Sequence, residues 1–233
     1  MKSPIIFATT DADMLPETAF KKLMTIVSDE RRIKAGRFHR REDACRSLLA
    51  EALLKYTFIC TGLHKYSEIT LKKNEFGKPQ TALDGFHFNI SHSGAWVICA
   101  VDNQEIGVDV ERIHKVDSGI SQRFFSSKEN ELLNTFNLES DWLDNFYRFW
   151  VLKESYIKAI GKGLHCPLNS FSVLPEKNGT ARLERYDESL PQKYFKIYEI
   201  DPAYKCALCC SHQNFPEKVD LVEVEEILEK LEI

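Results

Sequence analysis

Late in the chain, YFKIYEIDPAYKCALCC can be laid over FHFNISHSGAWVICAV at a constant offset, with Ala95 falling on Ala203 and Trp96 on Tyr204. The earlier stretch reads as strand, turn, strand: FHFNI leads into Ser-His-Ser-Gly and then AWVICAV, with its β-branched and aromatic residues. Each copy follows a helical block. Residues 40 to 60 place Ala44, Leu48, Ala52 and Tyr56 at four-residue intervals, flanked by Cys45, Leu49 and Leu53. From Trp142 to Ile160, Trp142, Phe146, Phe149, Trp150, Ile157 and Ile160 keep helical spacing until Gly161-Lys162-Gly163 stops them. A helix followed by a hairpin, twice, predicts an α+β fold of two similar halves, each a helix packed on a small antiparallel sheet. The division falls near the turn at Asp102-Asn103, giving halves 1–104 and 105–233 with a ligand in the cleft between them.

Bulk properties narrow the function. The chain has 233 residues, 43% of them hydrophobic and 28% charged, enough for a real core. No window approaches the roughly 18 apolar residues of a membrane span, and MKSPIIFATTDAD turns acidic too early for a secretory signal, so the expected location is the cytoplasm. Seven cysteines lack the spacing of a disulfide framework; in Cys206-Ala-Leu-Cys209 the two thiols lie on opposite faces of a strand and read as buried, not chelating. A formal charge of -4 argues against nucleic acid as a partner. Against that background Arg31, Arg32, Lys34, Arg37, Arg40, Arg41 and Arg46 crowd around a helix start, where a small polyanion would be drawn.

Two patterns carry chemistry. In Gly107-Val108-Asp109-Val110-Glu111, strand alternation puts Asp109 and Glu111 side by side on one face, either as a solvent-facing edge or as part of a cation site. Four residues apart on a helix, Glu154 and Lys158 can form an ordinary salt bridge, or add a third oxygen ligand and an ammonium for a phosphate.

With these residues in view the chain resembles the 4'-phosphopantetheinyl transferases, in particular the larger monomeric type that activates surfactin synthetase. The matching stretches are FGKP at 76–79, FNISHSG at 88–94, GVDVE at 107–111, RFFS at 123–126 and WVLKESYIKAIGKGL at 150–164, in the family's order and spacing. SDERRIKAGRFHRREDACRSLLAEAL near the front and YEIDPAYK near the end extend the likeness over nearly the whole chain.

The resemblance implies a monomer of two halves with coenzyme A and magnesium in the cleft, and an apo carrier domain of a peptide, polyketide or fatty-acid synthase docking over it. By matching position, Asp109, Glu111 and Glu154 would bind Mg2+, for which Mn2+ would substitute, and Asp109 and Glu154 would also border the coenzyme A diphosphate. Lys158 would contact the transferred phosphate. Arg31, Lys34, Arg46 and His92 would surround the 3'-phosphate, Phe76, Gly77, Lys78 and Pro79 would line the adenine, and Ser91 would add a phosphate contact. Arg31 stands where the family often has lysine, which replaces a point charge with a planar fork. The carrier serine must lose a proton, with Glu154 the first choice of acceptor, directly or through a metal-bound water. Glu129 is the second, because a matching glutamate in the family orients a water near the metal.

A coenzyme A-dependent acyltransferase would also need a basic cleft but not three converging carboxylates, and an inactive carrier-binding module would not need Lys158 beside them. The segment Arg112–Phe125 mixes cations with Ile113, Val116 and Ile120, and is the expected docking patch for an acidic helical carrier. His39, His64, His114, His165 and His212 have no chelating spacing and read as surface or structural, while Lys153 either serves the family motif or braces its helix.

Overall fold

The computed structural model describes residues 3–62 and 71–232; His64 lies outside the described residues. The chain opens with β1 (Ile5–Thr9) and the helices α1 (Glu17–Ile26), α2 (Asp29–Ala35) and α3 (Arg41–Cys60). The short strands β2 (Leu71–Lys73) and β3 (Pro79–Thr81) precede β4 (His87–Ser93), β5 (Trp96–Asp102) and β6 (Ile106–Arg112). Then come α4 (Gly119–Phe124), α5 (Ser127–Leu133) and α6 (Glu139–Ile160), which starts slightly ahead of the expected Trp142. The strands β7 (Phe171–Pro175), β8 (Thr180–Arg185), β9 (Tyr194–Tyr198), β10 (Tyr204–Cys210) and β11 (Asp220–Leu221) are followed by α7 (Val224–Leu231).

Two sheets form, in the orders β11-β1-β5-β4 and β6-β10-β9-β8-β7, with β2 and β3 paired separately. The molecule is α+β, with a long helix on each sheet. Strand alternation builds its layers. Val97, Cys99 and Val101 of β5 pack under α3, while Trp96, Ile98 and Ala100 face the second sheet and meet Val108, Val110 and Leu208. On β10 the same period sends Cys206 into that middle core and Cys209 into the core beneath α6, so the two thiols do sit in separate layers.

Each long helix is shaped by what it must bury. Helix α3 is buried on nearly every side, Ser47, Glu51 and Thr57 included, because α1, α2 and α7 cover the flank the sheet leaves free. Helix α6 ends where Gly161 turns left-handed at φ 72°, a conformation that favours glycine. Its middle presses on β6 at Gly107, where a Cβ would lie 2.1 Å from the Ser155 carbonyl oxygen.

The tail crosses over. Strand β11 runs parallel to β1, with Phe7 opposite Asp220, and α7 packs on α3 and α1. Residues drawn with the second half on sequence thus pack on the first, because α7 helps α1 and α2 cover the apolar flank that α3 exposes. No helix among the described residues is long and apolar enough to cross a membrane.

Candidate functional site

The alternation of β6 turns Gly107, Asp109 and Glu111 to the face opposite Val108 and Val110, and that face meets α6, the helix of Glu154 and Lys158. Asp109 is only 2% exposed. Its Oδ1 accepts hydrogen bonds from the Ser91 hydroxyl at 2.8 Å and from Lys158 Nζ at 2.5 Å, while among the described residues its buried Oδ2 has no partner. Glu111 Oε2 accepts from the Ser93 hydroxyl at 2.8 Å.

The three carboxylates feel one another. Burial, then the charge of Asp109, pushes the Glu154 carboxyl up to about 7, with Glu111 adding to the rise and Lys158 opposing it. Burial and then Asp109 raise Glu111 as well, and burial raises Asp109 against the pull of Lys158. Lys158 keeps 27% of its side chain exposed and also donates to Ser91 Oγ at 2.9 Å. Among the described residues no three His, Cys, Asp or Glu side chains form a ready-made metal cage. The donor chemistry nonetheless fits a hard divalent cation: all three groups offer oxygen, burial makes each resist ionising, and among the described residues one buried oxygen is unpaired.

Beside this cluster lies a basic arc. A cavity of about 530 Å³ is lined by Arg31, Lys34, Lys72, Gly77, Pro79 and Phe88, among others. Arg31 is braced from behind, its Nε on Glu51 at 3.2 Å and its Nη1 on the Ser47 hydroxyl at 3.1 Å. Arg46 donates to the Gly94 carbonyl at 3.0 Å and to Asp43 at 2.5 Å, so it anchors the β4–β5 turn. Crowding by neighbouring atoms, then the charges of Lys158, Arg46 and Arg31, hold His92 below its ordinary value although the residue stays exposed. Lys158 from α6 and Arg46 and Arg31 from the first half thus all act on His92.

The structure divides the rest of the expected set. Gly77 and Pro79 reach the cavity, but Phe76 packs its ring 5.1 Å from that of His165. Lys78 turns to the carbonyls of Ile106 and Ala159, both at 3.1 Å, and burial pushes its ammonium down to about 8. It therefore clips the turn to the end of α6 in place of offering its charge to the cavity. Ser91 is also committed, donating to Asp109 and accepting from Val110 N–H and Lys158, which leaves no hydroxyl hydrogen for a phosphate.

Glu129 is not brought to the carboxylates. It is fully buried, paired with Lys153 Nζ at 2.7 Å through both oxygens, and accepts the N–H groups of Ser126 and Val173 at 2.8 Å. The reason is local: Ser126 and Glu129 form a capping box at the start of α5, which fixes the glutamate against α6 and β7. Lys153, pushed by burial down to about 8, braces its helix and also donates to the Phe171 carbonyl. His114 bonds Tyr147 Oη, and His212 meets Asp102 at 2.9 Å, both structural.

Sequence reasoning passed over Asn89 and Ser93, which bond β6 directly. The available signal was Asn-x-Ser-x-Ser at period two on β4, small polar side chains along one strand face.

Two family models account for most of the chain: "4'-phosphopantetheinyl transferase superfamily" matches residues 105–209 and "4'-phosphopantetheinyl transferase, N-terminal" matches residues 16–104. The 4'-phosphopantetheinyl transferase Sfp of Bacillus subtilis (strain 168) is 42% identical over 89% of this chain and 92% of its own length. The transferase gsp of Aneurinibacillus migulanus is 38% identical over 82% of this chain and 79% of its own. The L-aminoadipate-semialdehyde dehydrogenase-phosphopantetheinyl transferase of Mus musculus is 35% identical over 60% of this chain and 50% of its own. Agreement of that extent, across both halves and the seam between them, places this chain in the 4'-phosphopantetheinyl transferase family.

Proposed function

We propose that the protein transfers the 4'-phosphopantetheine arm of coenzyme A to a serine of an apo carrier domain, releasing adenosine 3',5'-bisphosphate, and that the transfer depends on magnesium. The observation that carries this is the meeting of Asp109 and Glu111 from β6 with Glu154 and Lys158 from α6, beside a cavity bordered by Arg31 and Lys34.

Asp109, Glu111 and Glu154 would hold the ion, which supplies positive charge to the diphosphate as negative charge builds on the leaving oxygens. Lys158 offers its ammonium to the phosphate that stays on pantetheine. Arg31, Lys34, Arg46 and His92 hold the 3'-phosphate end, so the reacting phosphorus is fixed at one place along the seam. The carrier serine oxygen forms a bond to that phosphorus, the bond to the adenosine bisphosphate oxygen breaks, and the serine proton passes to a carboxylate. Glu154 is the proposed acceptor, directly or through an intervening water. Carriers of peptide, polyketide and fatty-acid synthases are the expected partners, and the enzyme acts as a cytoplasmic monomer. Mass spectrometry of an apo carrier incubated with the protein, coenzyme A and magnesium tests the reading: a carrier heavier by one phosphopantetheine is expected, and an unchanged mass rejects it.

A further inference from the structure

Where the halves meet, β4 and β6 are the edge strands of their two sheets. Strand β4 is laddered to β5 along its other side, and β6 to β10. Alternate residues of β6 point their N–H and C=O groups at β4, and a buried edge of this kind must be satisfied somehow. No backbone ladder does it. The Asn89 side-chain oxygen accepts Val108 N–H at 2.9 Å, Ser91 Oγ accepts Val110 N–H at 3.3 Å, and Ser93 Oγ accepts Arg112 N–H at 3.1 Å. Two carbonyls of the same edge go to Lys78, at 3.1 Å from Ile106 O, and Lys158, at 3.4 Å from Val108 O. The seam is a parallel register spelled in side chains.

The serines do two things at once. A hydroxyl has one hydrogen to give and two lone pairs to receive. Ser93 gives its hydrogen to Glu111 Oε2 while receiving Arg112 N–H, as Ser91 does for Asp109 and Val110. Side-chain links are longer than backbone ones, so the strands must stand wider than the about 4.8 Å of a ladder, and the gap is set by residue choice on β4.

We propose that Asn89 and Ser93 are positioning residues: Asn89 fixes the start of the seam, and Ser93 fixes both its far end and the Glu111 carboxylate. The cation arm of this inference rests on the function proposed above; the seam arm does not.

Ser93→Ala removes both bonds of the hydroxyl, and Ser93→Thr restores them. Amide hydrogen exchange read by NMR follows Arg112 in the serine variants and Val108 in Asn89→Ala, while Mn2+ titration followed by electron paramagnetic resonance, with coenzyme A present, reports the carboxylates. In Ser93→Ala the Arg112 amide should exchange faster, and the Mn2+ dissociation constant should rise about tenfold, the usual cost of losing a group that orients a ligand. Melting should stay within a few degrees, and Ser93→Thr should return both values toward the parent. Val108 exchange should quicken in Asn89→Ala. Unchanged Arg112 exchange in Ser93→Ala would overturn the seam role, and so would Ser93→Thr behaving like Ser93→Ala. Faster exchange with unaltered Mn2+ affinity would overturn the hold on Glu111. Parent protein that takes up no Mn2+ would sink the cation reading instead, and the seam role would then be decided by exchange alone.

Discussion

The two hairpins, β4–β5 and β9–β10, follow one plan and meet different fates. Strand β9 lies inside its sheet with β10 on one side and β8 on the other, whereas β4 is an edge. At the offset that lays β10 over β5, the seam residues Asn89, Ser91 and Ser93 fall on Ile197, Glu199 and Asp201. Two residues, Gly94 and Ala95, join the first hairpin, while the second needs the longer turn from Glu199 to Ala203. The strands that follow differ too: β6 crosses to the other sheet and pairs along seven residues, while β11 crosses back for only two. The proposed chemistry lies where a long lent strand meets an unladdered edge, and there polar side chains replace backbone pairing. The second copy closes its ladder and has no such need.

The largest contrast is expected between a substitution on the lent strand β6 and one in the second hairpin. Asp109→Ala should cut transfer about a hundredfold or more, since it removes a proposed ion ligand and the partner that holds Lys158. Glu199→Ala, at the position of the second hairpin that matches Ser91, should leave the rate alone, because Glu199 is exposed and its charge partner among the described residues, Lys205, lies 3.7 Å away. Equal transfer by parent and Asp109→Ala protein would return Asp109 and Glu111 to an ordinary strand edge. Excess chelator should abolish transfer, Mn2+ should restore it, and calcium should restore less.

Stability separates buried pairing from surface pairing in the same half. Lys153→Ala strands Glu129 in the core and should cost about 3–5 kcal/mol, whereas Lys128→Ala, which breaks an exposed pair with Glu184, should cost under about 1 kcal/mol. Urea denaturation measures both, and similar midpoints for the two variants would remove the framework role assigned to Glu129.

The basic arc belongs to the first half. Dephospho-coenzyme A should bind more weakly by about 1.5–3 kcal/mol, two charged hydrogen bonds lost, and equal affinities in calorimetry would remove the assignment. His92 starts below its ordinary pKa in the free protein. A bound phosphate favours its charged form, so the pKa should rise on binding and the complex should take up a proton between the two values. Affinity for coenzyme A should therefore strengthen as pH falls through that window, and NMR titration of the ring should show the same rise, absent with dephospho-coenzyme A.

The smallest effect is expected at α4. Ile120 is half-buried against the aromatic cluster of Phe125, Phe146 and Phe149. Ile120→Asp should raise the KM for the carrier several-fold and leave coenzyme A binding unchanged; an equal fall in coenzyme A affinity would make the segment structural.

Local chemistry alone determined much of this protein. The periods of residues 40–60 and 142–160 marked α3 and α6, the alternation in GVDVE put Asp109 and Glu111 on one face, and the repeated hairpin foretold two similar layers. Each is a matter of spacing along one element, and spacing is written in the chain. Tertiary structure decided what spacing cannot hold. Glu129 went to Lys153 because a capping box aimed it inward, Lys78 went between β6 and the end of α6 because the carbonyls of Ile106 and Ala159 needed a donor, and the tail returned to the first half because α3 had an uncovered flank. Asn89 and Ser93 acquired their partners only when two sheet edges came together without a ladder. A side chain's partner lies across the fold, and burial compels every polar group there to find one.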